Sequence, residues 1–224
     1  MNMKTATIES IRNNAASEPD RSRPSLSSLV LSALALWLGL VLFLGRRGAF
    51  VGTPGSPPLP IFIGFATPLA VFFAAYFGWG AFKNFILGAD LRFVSAIQAW
   101  RWAGFGFLSL YAHGVLPGLF ALPAGLGDMA IGVTAPWMVL GLIRHPSFAA
   151  SRRYKVWNLL GILDLLVAVS LGTICSGFLH GLTGSVTTGS MAQLPLLIIP
   201  AFLVPLFLML HFSALFQASG VGPK

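Results

Sequence analysis

LFALPAGLGDMAIGVTAPWMVLGLI, residues 119–143, is an apolar run of bilayer length with one ionisable side chain, Asp128, near its middle. A hydrocarbon core about 30 Å thick takes roughly 20 helical residues. No water is available there to bond the backbone, so a crossing segment must be a helix or part of a closed barrel. A barrel strand would be shorter and would alternate apolar with polar residues. This run does neither, and the fold class it implies is an all-α, polytopic membrane protein.

Five further apolar runs flank it, at about Leu29–Gly45, Pro60–Trp79, Ala96–Leu116, Val156–Phe178 and Leu194–Phe216. Together they predict a six-helix transmembrane domain over residues 28–217. Residues 1–27 form a polar tail with no repeating apolar face, expected to be disordered and cytoplasmic. Residues 218–224 form a short cytoplasmic tail. Gly52–Pro60 is a Gly- and Pro-rich loop, Gly80–Ser95 is interfacial, Arg144–Lys155 is basic, and Leu179–Gln193 is rich in Gly, Ser and Thr. Arg46-Arg47, not a small-residue cleavage site, follows the first run, so it is read as a retained span.

Only 9% of the residues are charged, against roughly 25% in soluble domains. The net charge of +8 is not a nucleic-acid signature, because the basic residues gather at the ends of apolar runs, where topology and anionic lipid account for them. A single cysteine, Cys175, excludes an intramolecular disulfide and any multi-cysteine metal site.

Lys and Arg also set the expected orientation. Lys4, Arg12, Arg21, Arg23, Lys83, Arg92, Arg144, Arg152, Arg153, Lys155 and Lys224 fall on one side, and only Arg46 and Arg47 on the other. Both termini are therefore expected in the cytoplasm. Trp79, Trp100, Trp102, Trp137 and Trp157 fall towards the cytoplasmic span ends, as an aromatic belt would.

Two carboxylates lie at membrane depth in matched settings, Gly125-Leu-Gly-Asp128 and Gly161-Ile-Leu-Asp164. A charged side chain there costs about 2.5–3.5 kcal/mol on insertion scales, so it marks a site or a pair. Ala121, Ala124, Gly125, Ile131, Gly132 and Ala135 share the helical face of Asp128, a stripe small enough to admit another helix closely. Pro123 and Pro136 bracket Asp128 and predict a broken helix, as at transporter sites. Arg101, in Gln98-Ala-Trp-Arg101, is the obvious counter-charge, either paired with Asp164 or reaching to the headgroups. The substrate- or ion-binding set is thus Asp128, Asp164, Arg101 and Gln98, with Asp128 expected as the site residue and Asp164 as the partner of Arg101. The match between the two motifs, 36 residues apart, would imply an inverted repeat if genuine.

His113 and His180 fall at the outer side, His145 in a cytoplasmic loop and His211 in the inner half of the sixth run, so no haem or metal site is expected and no cofactor is called for. Phosphate-loop and hydrolase patterns are absent. Ser109, Ser170, Thr134 and Asn158 read as helix–helix hydrogen-bonders. The function expected is a small proton- or cation-linked transporter or permease. An alternative is a membrane-embedded structural or accessory subunit without transport; a third reading is an intramembrane lipid-modifying enzyme. The implied partners are the lipid bilayer and either a second copy or another membrane protein. The expected location is a cell membrane, a bacterial inner membrane, crossed several times. Labelling by a membrane-impermeant thiol reagent of single cysteines placed in residues 179–193 is expected from outside only; labelling from the cytoplasmic side would reverse the topology.

Overall fold

Long apolar runs in this chain become helices, as backbone self-satisfaction requires. The structure, a computed structural model, describes residues 25–53, 55–178 and 185–220. The expected disorder of 1–27 falls almost wholly outside the described residues, as do His180 and residues 179–184 of the 179–193 loop. In order, the elements are α1 (Leu26–Arg46), α2 (Leu59–Gly78), α3 (Gly80–Leu87), α4 (Leu91–Ile97), a 3-10 helix (Gln98–Gly104), α5 (Phe105–Ala112), α6 (Gly118–Arg144), a 3-10 turn (Pro146–Ala150), α7 (Arg152–Ile174), a 3-10 turn (Thr188–Ala192), a π-helical turn (Ile199–Leu203) and α8 (Val204–Gly220). No strand occurs among the described residues.

The chain divides into two compact units, residues 1–36 and 37–224, with α1 running across the division. Of the first unit, Ser25–Leu36 is described, mostly exposed and with four serines among its apolar residues. Everything below concerns the second unit.

Among the described residues, five helices are long and apolar enough to cross a membrane: α1, α2, α6, α7 and Ile199–Gly220. Large apolar side chains such as Phe77, Leu126, Leu159 and Leu163 point outward. In water they would form a hydrophobic patch larger than soluble monomers carry, whereas lipid would cover them. The helices are compatible with a multi-pass membrane protein.

The expected third span, Ala96–Leu116, is not one α-helix. Helical structure begins five residues earlier, at Leu91, where Asp90 caps it by accepting from the Arg92 amide at 2.9 Å. Hydrogen bonds from Arg92 hold the exposed Asp90 carboxyl below its ordinary range. The segment then tightens into the 3-10 helix before loosening again into α5. Third residues eclipse one another in a 3-10 helix, whereas an α-helix would rotate each by about 60°. Gln98, Arg101 and Gly104 are therefore aligned, and all three are buried. Their edge packs against α6.

The stripe of small residues on α6 is where the sequence places it: Ala121, Ala124, Gly125, Ile131, Gly132 and Ala135 are all buried. A methyl group on Gly104 would strike Asp128 Cβ, and one on Gly132 would strike the Trp102 amide. The break expected near Pro123 and Pro136 is absent, because α6 runs through both without interruption. The irregular turns lie instead in the 3-10 segment and in the π turn beside Pro200.

Trp79, Trp100, Trp102 and Trp137 are exposed, but Trp157 departs from the expected belt. It is buried, its indole N–H donates to Thr134 Oγ1 at 2.8 Å, and its ring meets His211 edge-on at 5.6 Å. The α7 start at Arg152 explains this: Ser151 caps it, and Trp157 lies more than a turn inside.

Gly132→Ala is expected to cost about 1–3 kcal/mol through overpacking of the α6 seam. Gly39→Ala, where an added methyl meets nothing within 4 Å, is expected to be neutral. Thermal unfolding of the full chain in detergent compares the two directly.

Candidate functional site

Gly118 begins α6 and Ile174 ends α7; Asp128 and Asp164 each lie ten residues from those ends. Short connections make consecutive helices antiparallel, so at about 1.5 Å per residue both carboxylates stand about 15 Å from the same end. The 3-10 edge delivers Arg101 to that level.

Arg101 is the centre of the site. Its Nε–H donates to Asp128 Oδ1 at 2.7 Å, and one terminal nitrogen donates to Asp164 Oδ2. The other terminal nitrogen donates to His211 Nε2 at 3.0 Å and, at a long 3.4 Å, to the Gly161 carbonyl. Four of the five guanidinium N–H groups are thereby placed. The Phe207 ring lies 6.0 Å below the guanidinium carbon, within cation–π range. The Arg101 side chain is wholly buried, while those of Asp128 and Asp164 keep 17% and 15% exposure.

Because a guanidinium only donates, His211 Nε2 must accept. The Nδ1 proton then donates to Asn158 Oδ1 at 2.9 Å, which fixes the neutral tautomer. Asn158 Nδ2 donates in turn to the Tyr154 carbonyl at 2.9 Å, and the Tyr154 hydroxyl meets Ser95 Oγ at 2.9 Å. The polar set thus joins α4, the 3-10 segment, α6, α7 and α8.

Glycine makes this convergence possible. A methyl on Gly127 would overlap the Asp164 carboxylate, and one on Gly161 would overlap the His211 ring. The two Gly-x-x-Asp motifs therefore bring both carboxylates to one arginine, but their leading glycines do different work. Gly125 abuts the Gly104 carbonyl and Leu108, whereas Gly161 makes room for an imidazole.

Of the four residues predicted from sequence, Asp128, Asp164 and Arg101 meet. Gln98 stands one 3-10 turn away; its Nε2 donates to the Phe207 carbonyl at 3.3 Å, and its Oε1 has no partner. The headgroup alternative for Arg101 does not describe this structure. Neither does the division that gave Arg101 to Asp164 alone. Sequence reasoning gave His211 and Asn158 too little weight. The available signal was Asn158-x-x-Gly161-x-x-Asp164, which repeats down one face of α7.

A cavity of about 290 Å³ reaches this centre. Among the described residues lining it, Asp128 is the one that is charged. Its Oδ1 is taken by Arg101, while Oδ2 accepts from no described residue. The cavity runs from Asp128 towards Thr53 and Ser56 after α1 and Thr187 before the π turn. Ile199 and Pro200 of that turn form part of its wall. Asp164 and Arg101 are not on its surface. No cluster of metal-ligating residues occurs among the described residues.

Residues 58–218, most of the chain, match a family described as a domain of unknown function (DUF8737), and the chain belongs to that family. No curated protein and no solved structure matches it.

Removing one partner of a buried charge set costs about 3–5 kcal/mol, because the remaining charge is stranded. Arg101→Met is expected to lose that much in detergent unfolding. Adding Asp128→Asn and Asp164→Asn to the same chain is expected to recover at least half of it. Arg92→Met, which breaks only the exposed pair with Asp90, is expected to cost under about 1 kcal/mol.

Proposed function

We propose, with this family membership as the starting point, that the protein is a small multi-pass permease whose centre exchanges one positive charge, a proton or a monovalent cation. The observation that carries the reading is the charge balance at a carboxylate reached by a cavity. Arg101 supplies one fixed positive charge, and His211 is neutral as the acceptor of its N–H. Asp128 and Asp164 supply two negative charges when both are ionised. The set is then one positive charge short, and an uncompensated charge is costly at membrane depth. Carboxylates sharing a site settle such a deficit by holding one proton between them, and a bound cation settles it equally well.

In this reading Asp128 is the group that meets incoming charge, because it lines the cavity and has a free oxygen. Asp164 is the second carboxylate of the exchanging pair, held behind Arg101. Arg101 is the fixed counter-ion that keeps both at one depth. The unpartnered Oε1 of Gln98, one turn further along the same edge, is the next polar stop on the far side. In this reading the chain crosses six times, the third crossing formed by α4, the 3-10 segment and α5; the Lys and Arg distribution then sets both termini on the cytoplasmic side, and the cavity opens outward. Irregular helix turns line transporter sites for a physical reason: they re-aim side chains and can change pitch.

A second reading, a structural or accessory subunit, has one observation in its favour. Four of the Arg101 donors are engaged, so the centre could serve only to lock helices together.

Infrared spectroscopy of the full chain in phosphatidylcholine bilayers separates the two. The permease reading expects a protonated-carboxyl band that disappears and returns as pH is cycled from mildly acid to mildly alkaline. That band should be altered by Asp128→Asn and by Asp164→Asn alike. A chain with no titrating carboxyl band and no cation-dependent shift of its carboxylate bands, still folded with Asn at either position, would establish the structural reading instead.

A further inference from the structure

The walls of the cavity are specific about what Asp128 can meet. Five phenyl rings, Phe50, Phe62, Phe65, Phe107 and Phe120, stand in the lining, together with Leu165 and Val169. Hydroxyl residues also line it, Thr53, Ser56, Thr173, Ser176, Thr187 and Thr188. Thr173 already donates its hydroxyl to the Val169 carbonyl, and Thr188 donates to the Gly172 carbonyl. Ser176 Oγ is buried and has no partner among the described residues.

These features exclude several occupants. A hard metal ion seeks six or more oxygen ligands, carboxylates foremost, and the lining offers a single carboxylate, with two of its threonine hydroxyls already donating to backbone carbonyls. An anion would face Asp128. A neutral lipophile would fill the space but leave the carboxylate unpaired beneath it. A cation with an apolar or aromatic body satisfies both chemistries, since its charge meets Oδ2 and its body meets ring faces that attract cations. The volume, about 290 Å³, lies at the small end of ligand pockets and suits one ring with an ammonium group.

We propose that the cavity binds a small lipophilic organic cation, an arylalkyl amine or quaternary ammonium, with its nitrogen against Asp128 Oδ2 and its body among Phe62, Phe65, Phe107 and Phe120. This rests on the charge-exchange reading of Asp128 and names the cation that would enter.

Calorimetric titration of the full chain in detergent, corrected against protein-free micelles, tests this with benzyltrimethylammonium and its uncharged carbon analogue neopentylbenzene. The wild-type chain is expected to bind the cation at least about tenfold tighter than the analogue, a difference a single charge pair can supply. Asp128→Asn should remove the preference while leaving the analogue's affinity within a few-fold of wild type. Gly172→Leu, which projects a side chain into the cavity, should weaken both ligands. The comparison of two ligands on the unmutated chain needs no variant to fold. Equal affinity for the two, or sodium ion binding as tightly as benzyltrimethylammonium, overturns the proposal. If the titrating carboxyl band is present and the cation preference is absent, the ligand class is wrong and charge exchange stands. If the preference is present and the band is absent, the cavity binds cations but the centre does not exchange protons.

Discussion

A guanidinium does not shed its proton at any ordinary pH, so burying Arg101 between helices obliges those helices to bring it anions. Asp128 on α6 and Asp164 on α7 are the response, and His211 on α8 takes a further N–H. Much of the local architecture follows from that obligation. Gly127 is small because Asp164 must pass it, Gly161 because His211 must, and Gly104 because Asp128 packs there. The 3-10 pitch of residues 98–104 presents Arg101 in line with Gly104, so the charge arrives where the backbones approach closely.

The same geometry separates structure from chemistry within one cluster. Arg101 is fully enclosed and saturated on three sides, which makes it a fixed part. Asp128 gives one oxygen to Arg101 and is also among the residues that line the cavity, its second oxygen accepting from no described residue. That arrangement lets a group essential to packing also face a ligand. The π turn at Ile199–Leu203 and the 3-10 segment border this region, so the two departures from α geometry fall beside the cavity and the charges.

Much of this was legible in the residues. Run length and composition predict helices of bilayer length, and five such helices are present. The α6 stripe was readable because small residues at helical spacing have one common use, close approach of another helix. Asp128, Asp164 and Arg101 were found because charge in an apolar run is rare and costly. The 3-10 pitch was not readable, since Gln-Ala-Trp-Arg-Trp-Ala-Gly suits an α-helix as well, and only packing against α6 selects the tighter form. Pro123 and Pro136 misled for the converse reason: α6 remains regular through both. His211 was underweighted because its partners, Arg101 and Asn158, lie 110 and 53 residues away in sequence. Trp157 was assigned to the membrane interface because α7 starts four residues before the expected span, which carries the indole inward to Thr134.

All of these features depend on the bridge that Arg101 makes between Asp128 and Asp164. Solid-state NMR measures this most directly, through dipolar couplings between guanidinium ¹⁵N and aspartate carboxyl ¹³C in the full chain in phospholipid bilayers, assigned with Asp128→Asn and Asp164→Asn chains. The account predicts that Arg101 couples to both carboxyl carbons at about 4 Å or less, the range of a direct ion pair. Coupling of Arg101 to lipid ³¹P, with none to either aspartate, would contradict it.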